Sequence, residues 1–125
     1  MSLNINEEAV KHAKELIDQG KINTASDWSK AQPTTTKEDQ FIKAQGWKEY
    51  GKWFLAVQSD SAKDKKKHYE FPYGDFQEVH RSGMVAAKQR AAQYKHKDVE
   101  RAAEQLLEAI DQKEGIKTKS KKEVF

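Results

Sequence analysis

The 125-residue chain has no cysteine. Disulfide bridges, thiolate-ligated zinc, iron–sulfur clusters and thiol catalysis are therefore excluded together. No apolar run approaches the ~18 residues that a membrane-crossing helix needs, and no signal-peptide core is visible. Apolar residues are themselves scarce, at 36% against 34% charged, with a mean hydropathy of -1.03. A chain of this length is one domain's worth, and its core must be small and supplemented by aromatic rings.

Charge of one sign is also missing from most of the chain. The formal net charge is +3, with a sequence pI near 9.0. Residues 113–125 hold five lysines against two glutamates, so this segment carries the whole excess. Residues 1–112 are balanced, with eighteen basic and eighteen acidic groups. The expected organisation is thus a single domain over 1–112 followed by a disordered basic tail over 113–125. A lysine tail attracts any polyanion weakly and in a salt-sensitive way.

The apolar residues that are present mark out the elements. Ile5, Ala9, Val10, Ala13, Leu16 and Ile17 recur at helical spacing behind Asn4 or Asn6 as cap, with Gly20 as the stop. Residues 21–36 read as a linker anchored by Trp28, and Thr35 to Glu38 as a capping box for a short helix ending before Gly46. The runs 52–58 and 68–73 suit the two strands of an aromatic β-hairpin, with Pro72 at its end or edge. Asp75 to Glu78 repeats the capping-box pattern and predicts a long helix to about Tyr94. A last helix over 98–112 carries Val99, Ala102, Ala103, Leu106, Leu107 and Ile110 on one stripe. That stripe changes phase near 95–97, which predicts a turn there despite the absence of glycine and proline. The fold class expected is α+β: N-terminal helices, the aromatic hairpin, and a C-terminal helical hairpin covering it.

Chemistry is harder to find. Nine of the twelve aromatic residues fall between Phe41 and Phe76, which suits either a stacking platform or a ring-filled core; the core reading is the simpler one. The four histidines (His12, His68, His80 and His96) show no HExxH and no pair at metal-ligating spacing. There is no GxSxG, phosphate loop or GxGxxG. No catalytic residue, cofactor or metal is expected, and the reading leans against an enzyme. Tyr69, Tyr73, Asp75 and His80 form a candidate small-ligand site if the hairpin packs beside the third helix. Arg81, Lys88 and Lys95 recur every seven residues and with Lys65, Lys66 and Lys67 form a candidate polyanion-binding surface.

The strings Gly46-Trp47-Lys48-Glu49-Tyr50, Phe71-Pro72-Tyr73-Gly74-Asp75-Phe76, Val79-His80-Arg81 and Arg90-Ala91-Ala92-Gln93-Tyr94 resemble a group of small bacterial proteins of unknown function. The resemblance covers about half the chain and implies a bacterial, cytoplasmic protein; it carries no activity, cofactor or catalytic residue. The function expected is a non-enzymatic binding or adaptor module acting through protein contacts, with an unidentified partner or a second copy. The alternative is nucleic-acid binding through the basic helix face and the lysine-rich hairpin loop.

Overall fold

In a computed structural model, residues 3–115 are described. They form an α+β domain in the order β1 (Leu3–Ile5), α1 (Glu7–Asp18), β2 (Ile22–Asn23), α2 (Trp28–Ala31), α3 (Thr35–Gln45) and α4 (Trp47–Gly51). Then follow β3 (Phe54–Gln58), a 3-10 turn at Lys66–His68, β4 (Tyr69–Pro72), β5 (Val79–His80), α5 (Arg81–Gln93) and α6 (Lys97–Glu114).

The hairpin forms as its alternation predicts, with β3 and β4 antiparallel and Phe54 opposite Pro72, Ala56 opposite Glu70 and Val57 opposite Tyr69. β3 is nevertheless the central strand, because β1 pairs antiparallel along its other side, from Leu3 opposite Gln58 to Ile5 opposite Ala56. A three-residue strand carries no readable period, so Ile5, expected on the first helical stripe, lies in β1 instead. Asn6 follows β1 and begins α1, but its side chain does not cap the helix. It donates instead to the carbonyls of Gly51 and Phe54, at 2.9 and 3.0 Å, and ties α1 to the sheet.

Two helical stripes supply the aliphatic core. Ala9, Ala13, Leu16 and Ile17 of α1 are buried, as are Val99, Ala103, Leu106 and Ile110 of α6. α5 and α6 run as an antiparallel hairpin, and α5 buries Gly83, Ala87 and Ala91 with almost no side-chain bulk, Gly83 against Trp28 and the Tyr73 carbonyl. The turn between them is made by Lys95 at φ 62°, a left-handed position filled here without glycine. Rings fill the rest: Tyr50, Trp53, Phe54, Phe71 and Tyr73 are all buried. Trp53 stacks on Tyr73 at 5.6 Å, and the Tyr73 hydroxyl donates to the Lys52 carbonyl at 2.6 Å.

Three sequence expectations are corrected. The third long helix does not start at Asp75: residues 75–78 close a turn, β5 follows, and α5 begins only at Arg81. The segment 21–36 is not wholly linker, since β2 pairs in parallel with β5 (Ile22 opposite Val79, Asn23 opposite His80) and α2 follows. Lys113 and Glu114 belong to α6, which Gly115 ends in the left-handed conformation, so the ordered domain passes the expected boundary at 112. The remainder of the expected tail lies outside the described residues. Among those that are described, no helix is long and apolar enough to cross a membrane.

Candidate functional site

The turn after β4 brings together the most chemically unusual group of side chains. Asp75 Oδ1 accepts from the backbone N–H of Gln77 at 3.0 Å and of Glu78 at 2.7 Å. The aspartate therefore does cap, but what it caps is a tight turn. Phe76 takes φ 72° within that turn, an unfavourable conformation for a ring-bearing residue. Its stack on Phe41, with centroids 4.4 Å apart and planes 12° from parallel, holds it there. The chain then reverses, so that the His80 N–H donates to the Tyr73 carbonyl at 3.0 Å.

The parallel pairing of β2 with β5 completes the group from the other side. It sets Asn23 opposite His80 and carries Ser26 onto the histidine ring, where Ser26 Oγ lies 2.7 Å from His80 Nδ1 and 2.9 Å from Ser82 Oγ. Trp28 tilts over the same ring at 5.8 Å. His80 is only 3% exposed. Its Nε2 lies at ion-pair distance from Asp75 Oδ2, 2.9 Å, and is a buried atom that makes no well-formed hydrogen bond. Glu78 adds a second carboxylate, so Asp75, Glu78 and His80 present three potential ligand atoms within 4.8 Å of one another. Burial works against the Asp75 charge, yet the Glu78 N–H, the His80 ring and the Gln77 N–H outweigh it and hold the carboxyl below its ordinary pKa.

Ser26, His80 and Asp75 have the residue types of an acyl-transfer triad, with the ring nitrogens exchanged. In that template the serine meets Nε2 and the aspartate orients Nδ1–H. Here serine is on Nδ1, shared with Ser82, and the carboxylate faces Nε2. The arrangement orders a histidine rather than activating a serine.

Of the candidate small-ligand residues, the fold unites Asp75 and His80 only. The Tyr73 ring turns into the core, its hydroxyl on Lys52 O, and burial pushes its pKa well up. Tyr69 belongs to a different surface: its hydroxyl donates to the Lys63 carbonyl at 2.6 Å. Ser26 and Glu78 were missed as site residues by the sequence reading; the triplet Asp75-x-x-Glu78-x-His80 is visible in the sequence, but its convergence depends on a turn where a helix was expected.

Of the six candidate polyanion-binding residues, Arg81 and Lys66 are ion-paired within the fold. Arg81 donates to the buried Asp111 carboxylate twice, Nε to Oδ1 at 2.7 Å and Nη2 to Oδ2 at 3.1 Å. Lys66 is engaged by Asp39 at 2.7 Å and Glu38 at 3.3 Å. Lys95 has left the helix for the turn, so the seven-residue alignment with Lys88 ends one step early. Lys65 and Lys67 remain exposed.

A groove of about 440 Å³ opens beside the hairpin, lined by Trp47, Gly51, Val57, His68 and Tyr69, with Glu8, Lys48 and Lys63 at its rim. Trp47 lies nearly parallel to Tyr69, 11° apart with centroids at 6.0 Å. Both rings are half-buried. The loop above them is strapped down by Tyr69 and by buried His68, whose Nδ1 is 2.8 Å from the Ser61 carbonyl. Comparison with known protein families, curated proteins and solved structures finds no match.

Proposed function

We propose that this protein is a non-enzymatic binding module that takes an extended, acidic segment of a partner protein in the Trp47–Tyr69 groove. The observation that carries the reading is the half-buried parallel ring pair that lines an apolar groove, while Tyr50, Trp53, Phe54, Phe71 and Tyr73 are buried. Aromatic faces give large contact area at low entropic cost and dominate binding energy at protein interfaces. Lys48 and Lys63 outnumber Glu8 at the rim and make no ion pair among the described residues, so they favour an acidic flank over a basic one. The resemblance to small bacterial proteins supports a bacterial, cytoplasmic setting.

A peptide-display selection tests this reading. Sequences combining an apolar or aromatic residue with acidic neighbours should enrich, and their amide chemical-shift perturbations should centre on Trp47, Val57 and Tyr69. Trp47→Ala should weaken them at least tenfold while retaining the circular dichroism of the parent. Absence of enrichment, or peptides that bind Trp47→Ala equally, overturns the proposal.

Nucleic-acid binding is the second reading, favoured by the exposure of Lys65 and Lys67. It requires oligonucleotide affinity that falls steeply with salt and survives removal of residues 116–125. Affinity that disappears with that segment reduces it to nonspecific attraction.

A further inference from the structure

We propose that Asp75, Glu78 and His80 form a binding site for a divalent first-row transition-metal ion. The first observation is the convergence itself: one imidazole nitrogen and two carboxylates whose ligand atoms lie within 4.8 Å of one another. Nitrogen and oxygen donors of this kind suit such cations, and the absence of thiolates removes the soft-metal alternatives.

The second observation concerns the histidine itself. His80 Nε2 is buried and makes no well-formed hydrogen bond, although a carboxylate oxygen lies 2.9 Å away. A buried polar atom left in this way costs free energy unless something satisfies it. Two ligand atoms 2.9 Å apart would each reach a common cation through bonds of about 2.05 Å, subtending an angle of roughly 90°. That angle is the one between neighbouring positions of an octahedral ion.

The surroundings match a ligating histidine. The other ring nitrogen, Nδ1, meets Ser26 Oγ at 2.7 Å, and Ser26 can pass its own hydrogen to Ser82 Oγ at 2.9 Å. With Nδ1–H donated to Ser26, the Nε2 lone pair is left free for a metal on the Asp75 side of the ring, which is the usual way an outer partner fixes the tautomer of a ligating imidazole. Asp75 is prepared likewise: Oδ1 is held by two backbone N–H groups, leaving Oδ2 toward Nε2. The Asp75 side chain is 28% exposed and Glu78 is half-buried. The remaining coordination positions therefore open to solvent.

Isothermal titration of the full chain with Zn²⁺, and the visible spectrum with Co²⁺, test the proposal. One ion per chain should bind, with affinity reduced at least tenfold by Asp75→Asn and by Glu78→Gln. Ser26→Ala, a positioning change, should weaken binding about tenfold without abolishing it. The ¹⁵N shift of His80 should move at Nε2 while Nδ1 stays protonated, a signature that a purely structural role would not give. His96→Gln, away from the cluster, should bind as the parent does. If His80→Gln fails to fold, Glu78→Gln decides, since that residue is only half-buried. Failure of the folded chain to bind Zn²⁺ or Co²⁺ at millimolar concentration, or equal binding by Glu78→Gln and Asp75→Asn, overturns the site. Preference for Mg²⁺ or Ca²⁺ over both overturns the assignment to a transition metal.

Discussion

Replacing Arg81 by methionine should destabilise the domain severely, because of where its partner lies. Arg81 is the first residue of α5 and Asp111 sits in the last turn of α6, so their bidentate contact ties the open end of the helical hairpin. Each charge is also at the unfavourable end of its own helix, a cation at an N-terminus and an anion near a C-terminus. Only the pairing makes either tolerable. Methionine keeps the apolar stem and removes the guanidinium, leaving Asp111, 3% exposed, as an uncompensated buried charge. Breaking a buried pair from one side costs roughly 3–5 kcal/mol. The arginine side chain is 35% exposed, which places this case at the lower end, about 3 kcal/mol. At about 4 °C per kcal/mol for a chain of this size, the melting temperature should fall by roughly 12 °C. Arg81→Met combined with Asp111→Leu removes both charges from the wrong helix ends and should recover most of the loss, giving a double-mutant coupling of about 2–3 kcal/mol. Urea unfolding of the four proteins at neutral pH measures the cycle. A single-variant loss below about 1 kcal/mol, or a double variant no better than the singles, would refute the reasoning.

Other expectations follow from the same geometry. Gly83→Ala should destabilise by about 1–2 kcal/mol despite alanine's better helix propensity, because a Cβ there meets the Trp28 ring and the Tyr73 carbonyl at 2.9 Å; a gain in urea midpoint would sink this. Gly74→Ala should cost more, since its Cβ falls 2.5 Å from the Glu78 carbonyl, and it should distort the turn that carries Asp75. Tyr73 keeps its proton in the folded state above the pH at which it ionises unfolded, so its contribution is complete below about pH 10 and is lost as pH rises further, at about 1.4 kcal/mol per unit. Stability should fall as pH rises above about pH 10, with buried Tyr50, whose pKa burial also raises, adding a slope of its own; Tyr73→Phe should remove about 1.4 kcal/mol per pH unit of that fall, and parallel curves would count against it. Trp28→Ala should expose His80, read as faster diethyl pyrocarbonate modification at that ring, and an unchanged rate would show that the indole does not cover it.

The parts of this fold that the sequence announces are those with enough residues to carry a period. The α1 and α6 stripes each repeat over three or more turns, and the alternation of Tyr69, Phe71 and Tyr73 is bounded by polar residues. β1, β2 and β5 have two or three residues each, shorter than any repeat, and their existence is decided by partners remote in sequence. The turn at Lys95 was legible for a different reason: a change of helical phase must be absorbed somewhere, whichever residue then adopts the left-handed conformation. The same kind of reasoning misplaced α5, since an aspartate three residues before a glutamate satisfies backbone donors equally well in a helix cap and in a turn.

That ambiguity at Asp75 is also what hid the site. In a helix starting at residue 75, Asp75 and His80 would stand five residues apart, about 500° around the axis and more than a turn along it. Their ligand atoms would then diverge. Closing the chain as a turn brings Asp75 Oδ2 to 2.9 Å from His80 Nε2 and leaves Glu78 on the same side. The turn is held by Phe76 stacked on Phe41, a residue on another helix, and His80 is oriented by Ser26 from beyond a parallel strand pair. Phe41→Ala should therefore weaken metal binding without touching a ligand, whereas a cluster assembled by local sequence alone would not respond. Titration of that variant with Zn²⁺, beside its circular dichroism, separates the two, and an affinity equal to the parent's would show that residues 75–80 hold their shape unaided.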